Sequence, residues 1–220
     1  MNGTNFKTRL LLRLTTPLFL LLSLHSLSLK ADAIGTYMID FTQASEHQNW
    51  TATNDDVMGG ISTGGLIYLD NMSQFRGGLI YLDNMSQFRG ELSLENNGGF
   101  SSIKRSIESP SHEIDSAELV LVGDGRTYQL RFTTSKDGNR VQYKHEFDTI
   151  KGEQLNKVFH FNDFQAVFRG RLLNDAPELR ARDIKQIGFL IADKQLSSFE
   201  LNLIQLHFKT SKPITSPEAD

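Results

Sequence analysis

Three short clusters in this chain set oxygen-bearing or charged side chains beside glycine, where backbone and ligand can approach closely. Asn54, Asp55 and Asp56 run into Val57-Met58-Gly59-Gly60-Ile61-Ser62. Asn96 and Asn97 run into Gly98-Gly99-Phe100-Ser101-Ser102, and Asp124 and Arg126 flank Gly125 after Gly123. Carboxylate oxygens of the first cluster could hold a cation, or could hydrogen-bond a sugar together with the Asn97 amide. Trp50, the sole tryptophan, could add an aromatic platform for a sugar ring, and Met58 belongs to the same candidate ligand- or partner-binding set. The structural alternative is that Asn and Asp cap turns, the glycines supply positive φ or close approach, and Trp50 belongs to the core.

Several chemistries lose support at this stage. A calcium loop needs about six or more oxygens, and no D-x-D-x-D-G run is present, which leaves only calcium held by scattered residues. The cluster around Asp124 and Arg126 invites a phosphate. It lacks both glycine-rich phosphate fingerprints and precedes a strand-like run rather than a helix. A tight turn is the better account, with Arg126 paired to a nearby carboxylate. His47, His112, His145, His160 and His207 are scattered, and no G-x-S-x-G elbow exists. With no cysteine, thiolate catalysis, zinc-thiolate sites and disulfides are absent. Glycoside hydrolysis needs two carboxylates that can lie far apart in sequence, and nothing selects a pair. The expectation is a non-enzymatic protein with no cofactor.

The elements that must position these residues read as strands. Strand-type runs cover 37–41, 87–94, 100–107, 117–122, 127–134, 141–147, 157–161, 186–192 and 198–208. In Tyr128-Gln129-Leu130-Arg131-Phe132 the apolar residues share one face and Gln129 and Arg131 the other. The adjacent Leu203 and Ile204 break the alternation of the last run and predict a bulge. Lys136-Asp137-Gly138-Asn139 predicts a hairpin. Only 177–185 has weak helical character. Many strands without a long helix imply an all-β antiparallel sandwich or jelly roll.

Residues 64–76 read GGLIYLDNMSQFR, and 77–89 repeat them letter for letter. Thirteen is odd, so threading the insert straight through a strand would turn every later side chain to the wrong face. One copy is therefore expected to leave the sheet, as an extra hairpin or a looped-out segment, with both copies competing for one slot.

The N-terminus carries Lys7, Arg9 and Arg13, then a Leu/Phe-rich run over 17–29 and Ala31-Asp32-Ala33. That run is too short for the roughly 20 residues of a membrane-spanning helix. It predicts a secretory signal peptide over 1–33 and a secreted or periplasmic domain over 34–209. The alternatives are a mitochondrial presequence or an uncleaved anchor, the one route to a membrane. Residues 210–220 read as a flexible tail. Cleavage after Ala33 would take 23 basic and 26 acidic residues to 19 and 25, a net charge of −6. That balance argues against nucleic acid.

The ordered motifs support a family resemblance. Trp50, the 54–62 and 96–102 motifs, Phe88-Arg89-Gly90-Glu91-Leu92-Ser93 and Gly123-Asp124-Gly125-Arg126-Thr127-Tyr128 resemble the complex I intermediate-associated protein 30 family. Phe164, Phe168-Arg169-Gly170-Arg171, the 187–195 segment and Phe199-Glu200-Leu201 extend the likeness over about 37–208. The resemblance implies a galactose-binding-like jelly-roll sandwich. Its mitochondrial members are assembly factors for respiratory complex I, which implies a protein partner. A Trp expected near Leu155 and a Pro near His160 are missing here, and one repeat unit exceeds the family spacing. Three readings follow: an exported module that binds a protein partner or assists assembly, a carbohydrate-binding module, and a glycoside-active enzyme.

Overall fold

Alternation of apolar and polar residues drives the described residues into thirteen strands packed as two antiparallel sheets. The computed structural model describes residues 37–69, 84–136, 139–168 and 170–211. The expected signal segment over 1–33, most of the repeat junction, the expected hairpin tip Asp137-Gly138 and most of the expected tail lie outside them.

In chain order the strands are β1 (Tyr37–Asp40), β2 (Thr51–Asn54), β3 (Thr63–Leu69), β4 (Met85–Leu92), β5 (Ser101–Ser106), β6 (Ser116–Val122) and β7 (Thr127–Lys136). Then come β8 (Asn139–Asp148), β9 (Gln154–His160), β10 (Gln165–Phe168), β11 (Arg171–Leu172), β12 (Ile184–Ile191) and β13 (Ser197–Lys209). The first sheet runs β3-β4-β13-β6-β9, with β1 also paired to β13. The second runs β11-β10-β8-β7-β12-β5-β2.

All nine expected strands form, with ends shifted by up to three residues. Lys136 pairs with Asn139, so β7 and β8 are joined by the two-residue hairpin that the turn residues require. In β13, Leu203 pairs with Leu121 and Gln205 with Val120, leaving Ile204 as the extra residue of a bulge. The weak helix over 177–185 does not form. Only Ala181–Asp183 makes a short 3₁₀ turn. Leu179, Ala181 and Ile184 are all buried, and a period-3.6 face gives way to the pairing of Ile184 with Thr134 in β12.

The inner faces interlock through rings. Tyr128, Leu130 and Phe132 of β7 are fully buried, as are Phe88, Leu201 and Phe208 opposite. Phe88 meets Phe199 at a centroid distance of 4.9 Å, and Phe132 meets Phe164 at 5.0 Å. Edge-to-face pairs such as the first add to the burial of apolar area that holds a cysteine-free domain together.

The repeat resolves in a way the strand argument did not foresee. Strand β3 takes its Gly64–Leu69 portion from the first copy and β4 its Met85–Arg89 portion from the second. Leu69 pairs with Met85, and the surplus falls in the connection over 70–84. Neither copy is expelled whole. Each strand stays continuous with its own flank, Thr63 before and Gly90 after, so no register changes.

Candidate functional site

Two of the three glycine clusters meet around one carboxylate. Asp55 is fully buried where a short 3₁₀ turn, Asp55–Met58, leaves β2. It accepts from Ser62 N (2.8 Å) and the Ser62 hydroxyl, and from Gly99 N (2.6 Å) and Phe100 N (3.3 Å). Added Cβ atoms on Gly60 or Gly98 would sit 2.3 and 2.6 Å from Asp55. The glycines are there for close approach, and Gly59, at φ 90°, supplies the left-handed exit from the turn. Burial alone would raise the Asp55 carboxyl, but these donors outweigh it and hold its pKa below the ordinary value.

That arrangement corrects the ligand role expected of Asp55. Its oxygens face N–H and O–H donors, so a calcium ion would meet hydrogens. Among the described residues no three His, Cys, Asp or Glu are grouped to hold a metal. Asn54 latches the same knot, accepting from Ser101 Oγ (2.7 Å) and donating to Gly64 O (3.3 Å). Trp50 is also corrected. It is 9% exposed, packs against Phe41 and Phe189, and donates Nε1 to Glu46 (2.9 Å). A ring held this way offers no face to a sugar.

Asp56, Met58 and Asn97 remain at the surface around the knot. Asp56 caps Val57 N at 3.0 Å, and Asn97 stands at φ 58° with no side-chain hydrogen bond among the described residues. Phe100, at the entry to β5, is half-buried. The notable exposure is apolar: Val57 68%, Met58 65%, Ile61 55% and Leu94 42%. Leu94 borders Gly99, whose N–H reaches Asp55, so the two loops carrying these side chains are tied at their base.

Asp124 and Arg126 form a separate structural knot. Arg126 is 6% exposed and grips Asp193 with Nε at 2.8 Å and Nη2 at 2.6 Å. Its remaining bonds reach Gln195 O, Ser197 O, Ser197 Oγ and Ser198 O. Burial opposes the charge, but the hydrogen bonds and charge of Asp193 win and raise its pKa. Asp124 accepts from Arg126 N, Tyr128 OH and Glu200 N. The expected carboxylate partner is therefore Asp193, and no donor is left for a phosphate.

A second surface is invisible in sequence spacing and emerges from register. On the outer face of the second sheet one cross-strand row reads Thr51, Lys104, Gly188, Arg131, Lys144, Gln165. The row beside it holds Thr53, Ser102, Leu190, Gln129 and Glu146. The rim is exposed, yet Leu190 at 7% and Thr133 at 9% are sheltered at the centre. The alternation of 128–132 put Gln129 and Arg131 on this face; their neighbours could not be read from it.

These features define an antiparallel β-sandwich in which the motif carboxylates Asp55 and Asp124 serve as internal ties. Among known proteins, the chain belongs to the complex I intermediate-associated protein 30 family, whose model matches residues 39–203. No curated protein matches it. Among solved structures it is similar to the family 11 carbohydrate-binding module of the cellulosomal cellulase Lic26A-Cel5E of Clostridium thermocellum. That likeness has TM-score 0.59 and 11% identity over 82% of this chain and 98% of the module. The Clostridium thermocellum family 11 module in complex with a β-1,3-1,4-mixed-linked tetrasaccharide gives TM-score 0.58 and 12% identity, covering 82% and 99%. At such identity the likeness establishes the sandwich and nothing more.

Proposed function

We propose that this chain is a non-enzymatic, exported module that docks a protein partner or assists assembly through the loop carrying Val57, Met58 and Ile61. One observation carries the reading: three large apolar side chains stand in solvent on a turn whose base is fixed by four hydrogen bonds to Asp55. Clustered exposed apolar groups are typical of interaction surfaces. A pre-ordered loop also avoids the ordering cost that binding otherwise carries. Membership of a family named for an assembly intermediate supports a protein partner.

The test is a pull-down from envelope extract with wild type and Met58→Asp. A specific partner should be recovered by wild type and reduced about tenfold or more by the variant, with the melting temperature unchanged. Failure to recover any specific partner, or equal recovery by Met58→Asp, would sink the proposal. Export rests on the 1–33 segment. Sequencing the N-terminus of the native protein should give Ile34, and a chain still starting at Met1 would overturn cleavage.

A carbohydrate ligand is the second reading. It no longer rests on Trp50 and Asp55. The sheltered polar face of the second sheet favours it, since amide and hydroxyl side chains there match a hydroxyl-rich ligand.

A further inference from the structure

We propose that the outer face of the second sheet binds an acidic glycan, with Arg131 taking a carboxylate or sulfate and Lys104 and Lys144 flanking it. The inference rests on the carbohydrate reading above and adds the charge and the site. Strands lie about 4.8 Å apart. A chain laid across them therefore meets Arg131 about one strand spacing from Lys144 and two from Lys104. Gly188, between Lys104 and Arg131, presents no side chain. An added Cβ there would sit 2.7 Å from the Ile103 carbonyl.

Arg131 differs from the other arginines sheltered by the fold. Arg105 meets Glu46 and Arg126 meets Asp193. Arg131 makes no ion pair among the described residues. Its Nε and Nη2 both donate to Gln129 Oε1, at 2.9 and 2.7 Å. The other guanidinium N–H groups have no partner among those residues, and their planar fork suits paired anionic oxygens. Burial lowers the Arg131 pKa and Glu146 opposes the shift only in part, as expected for a desolvated cation short of a counter-ion. Glu146 itself is engaged by Gln129 Nε2 (3.0 Å) and Lys144 Nζ (2.9 Å).

The surroundings select among polyanions. Gln165 ends the row and Gln129, Gln142, Ser102 and Thr133 border it, so hydrogen-bonding groups accompany the charge. In the two rows across this centre Leu190 is the sole apolar side chain, which leaves no pocket for peptide side chains. No aromatic ring stands in those rows to stack a base.

Isothermal titration of the full mature protein decides the matter. The probes are polygalacturonate, dextran sulfate, a neutral mixed-linkage glucan, oligothymidylate and polyglutamate. At least one acidic glycan should bind and weaken with salt. Arg131→Gln should reduce that binding about tenfold, the size of a charge-assisted bidentate contact. Lys104→Gln, at an exposed position that leaves folding intact, should reduce it about threefold. Which acidic glycan responds identifies the anion. Binding of the neutral glucan alone overturns the inference and leaves the carbohydrate reading standing, whereas silence from all three glycans ends both. Tighter binding of oligothymidylate or polyglutamate, or affinity undiminished in both variants, also overturns it.

Discussion

At the scale of single residues, the charges of the glycine motifs at Asp55, Asp124 and Arg126 are spent on internal hydrogen bonds. Asp55 stood out in sequence as a ligand candidate because carboxylates beside paired glycines suit ligands and turns alike. The distinction needed Gly99 and Phe100, more than forty residues away, whose N–H groups complete the donor set around it. Arg126 was legible as one half of an ion pair; Asp193 was not, because a partner 67 residues distant leaves no local signal. The depressed pKa of Asp55 makes its contribution pH-dependent. That stabilisation is complete above its unfolded value of about 3.9 and drains away as pH falls through the lower folded value. Asp55→Asn, which turns an amide donor toward fixed N–H donors, should cost about 2–4 kcal/mol near neutrality. Urea unfolding of both proteins at pH 7 and pH 3 would check this. The gap should narrow in acid, and an equal gap at both pH values would refute the assignment.

At the scale of elements, strand positions were readable from alternation, and the Ile204 bulge from a single break in it. Strands β2, β10 and β11 were missed, being four, four and two residues long and too short to show a period. The repeat was legible as a register problem, and its solution lay in pairing that sequence does not display. Deleting 77–89 should leave Asp-Asn between Leu69 and the following Met, a two-residue hairpin turn. Asn84 already stands at φ 49°, the left-handed geometry that such turns use. Shortening the connection from fifteen residues to two relieves about 2 kcal/mol of closure entropy. The deletion variant should therefore melt several degrees higher, and a drop in melting temperature by calorimetry would show that the surplus contributes contacts.

At the scale of the whole molecule, fold class came almost entirely from patterning, while the surfaces that distinguish one sandwich from another came from assembly. The Val57–Met58–Ile61 patch depends on which side chains the Asp55 knot leaves outside. The cationic row depends on six strands aligning residues from 51 to 188. Because the two surfaces share no residue, their losses should be separable. Met58→Asp should keep full affinity for an acidic glycan in titration, and Arg131→Gln should still recover the protein partner. Loss of both functions in either variant would point to a single shared surface.

The pairing of β3 with β4 has one more consequence. Leu69 and Met85 are locked by the ladder of an edge hairpin, so the covalent link between them is dispensable to the sheet. The same sandwich could begin its chain at Met85 and finish at Leu69, with the present ends tethered to one another. What entered as a surplus of sequence has thereby marked the place where this fold can be cut open and rejoined as a circular permutant.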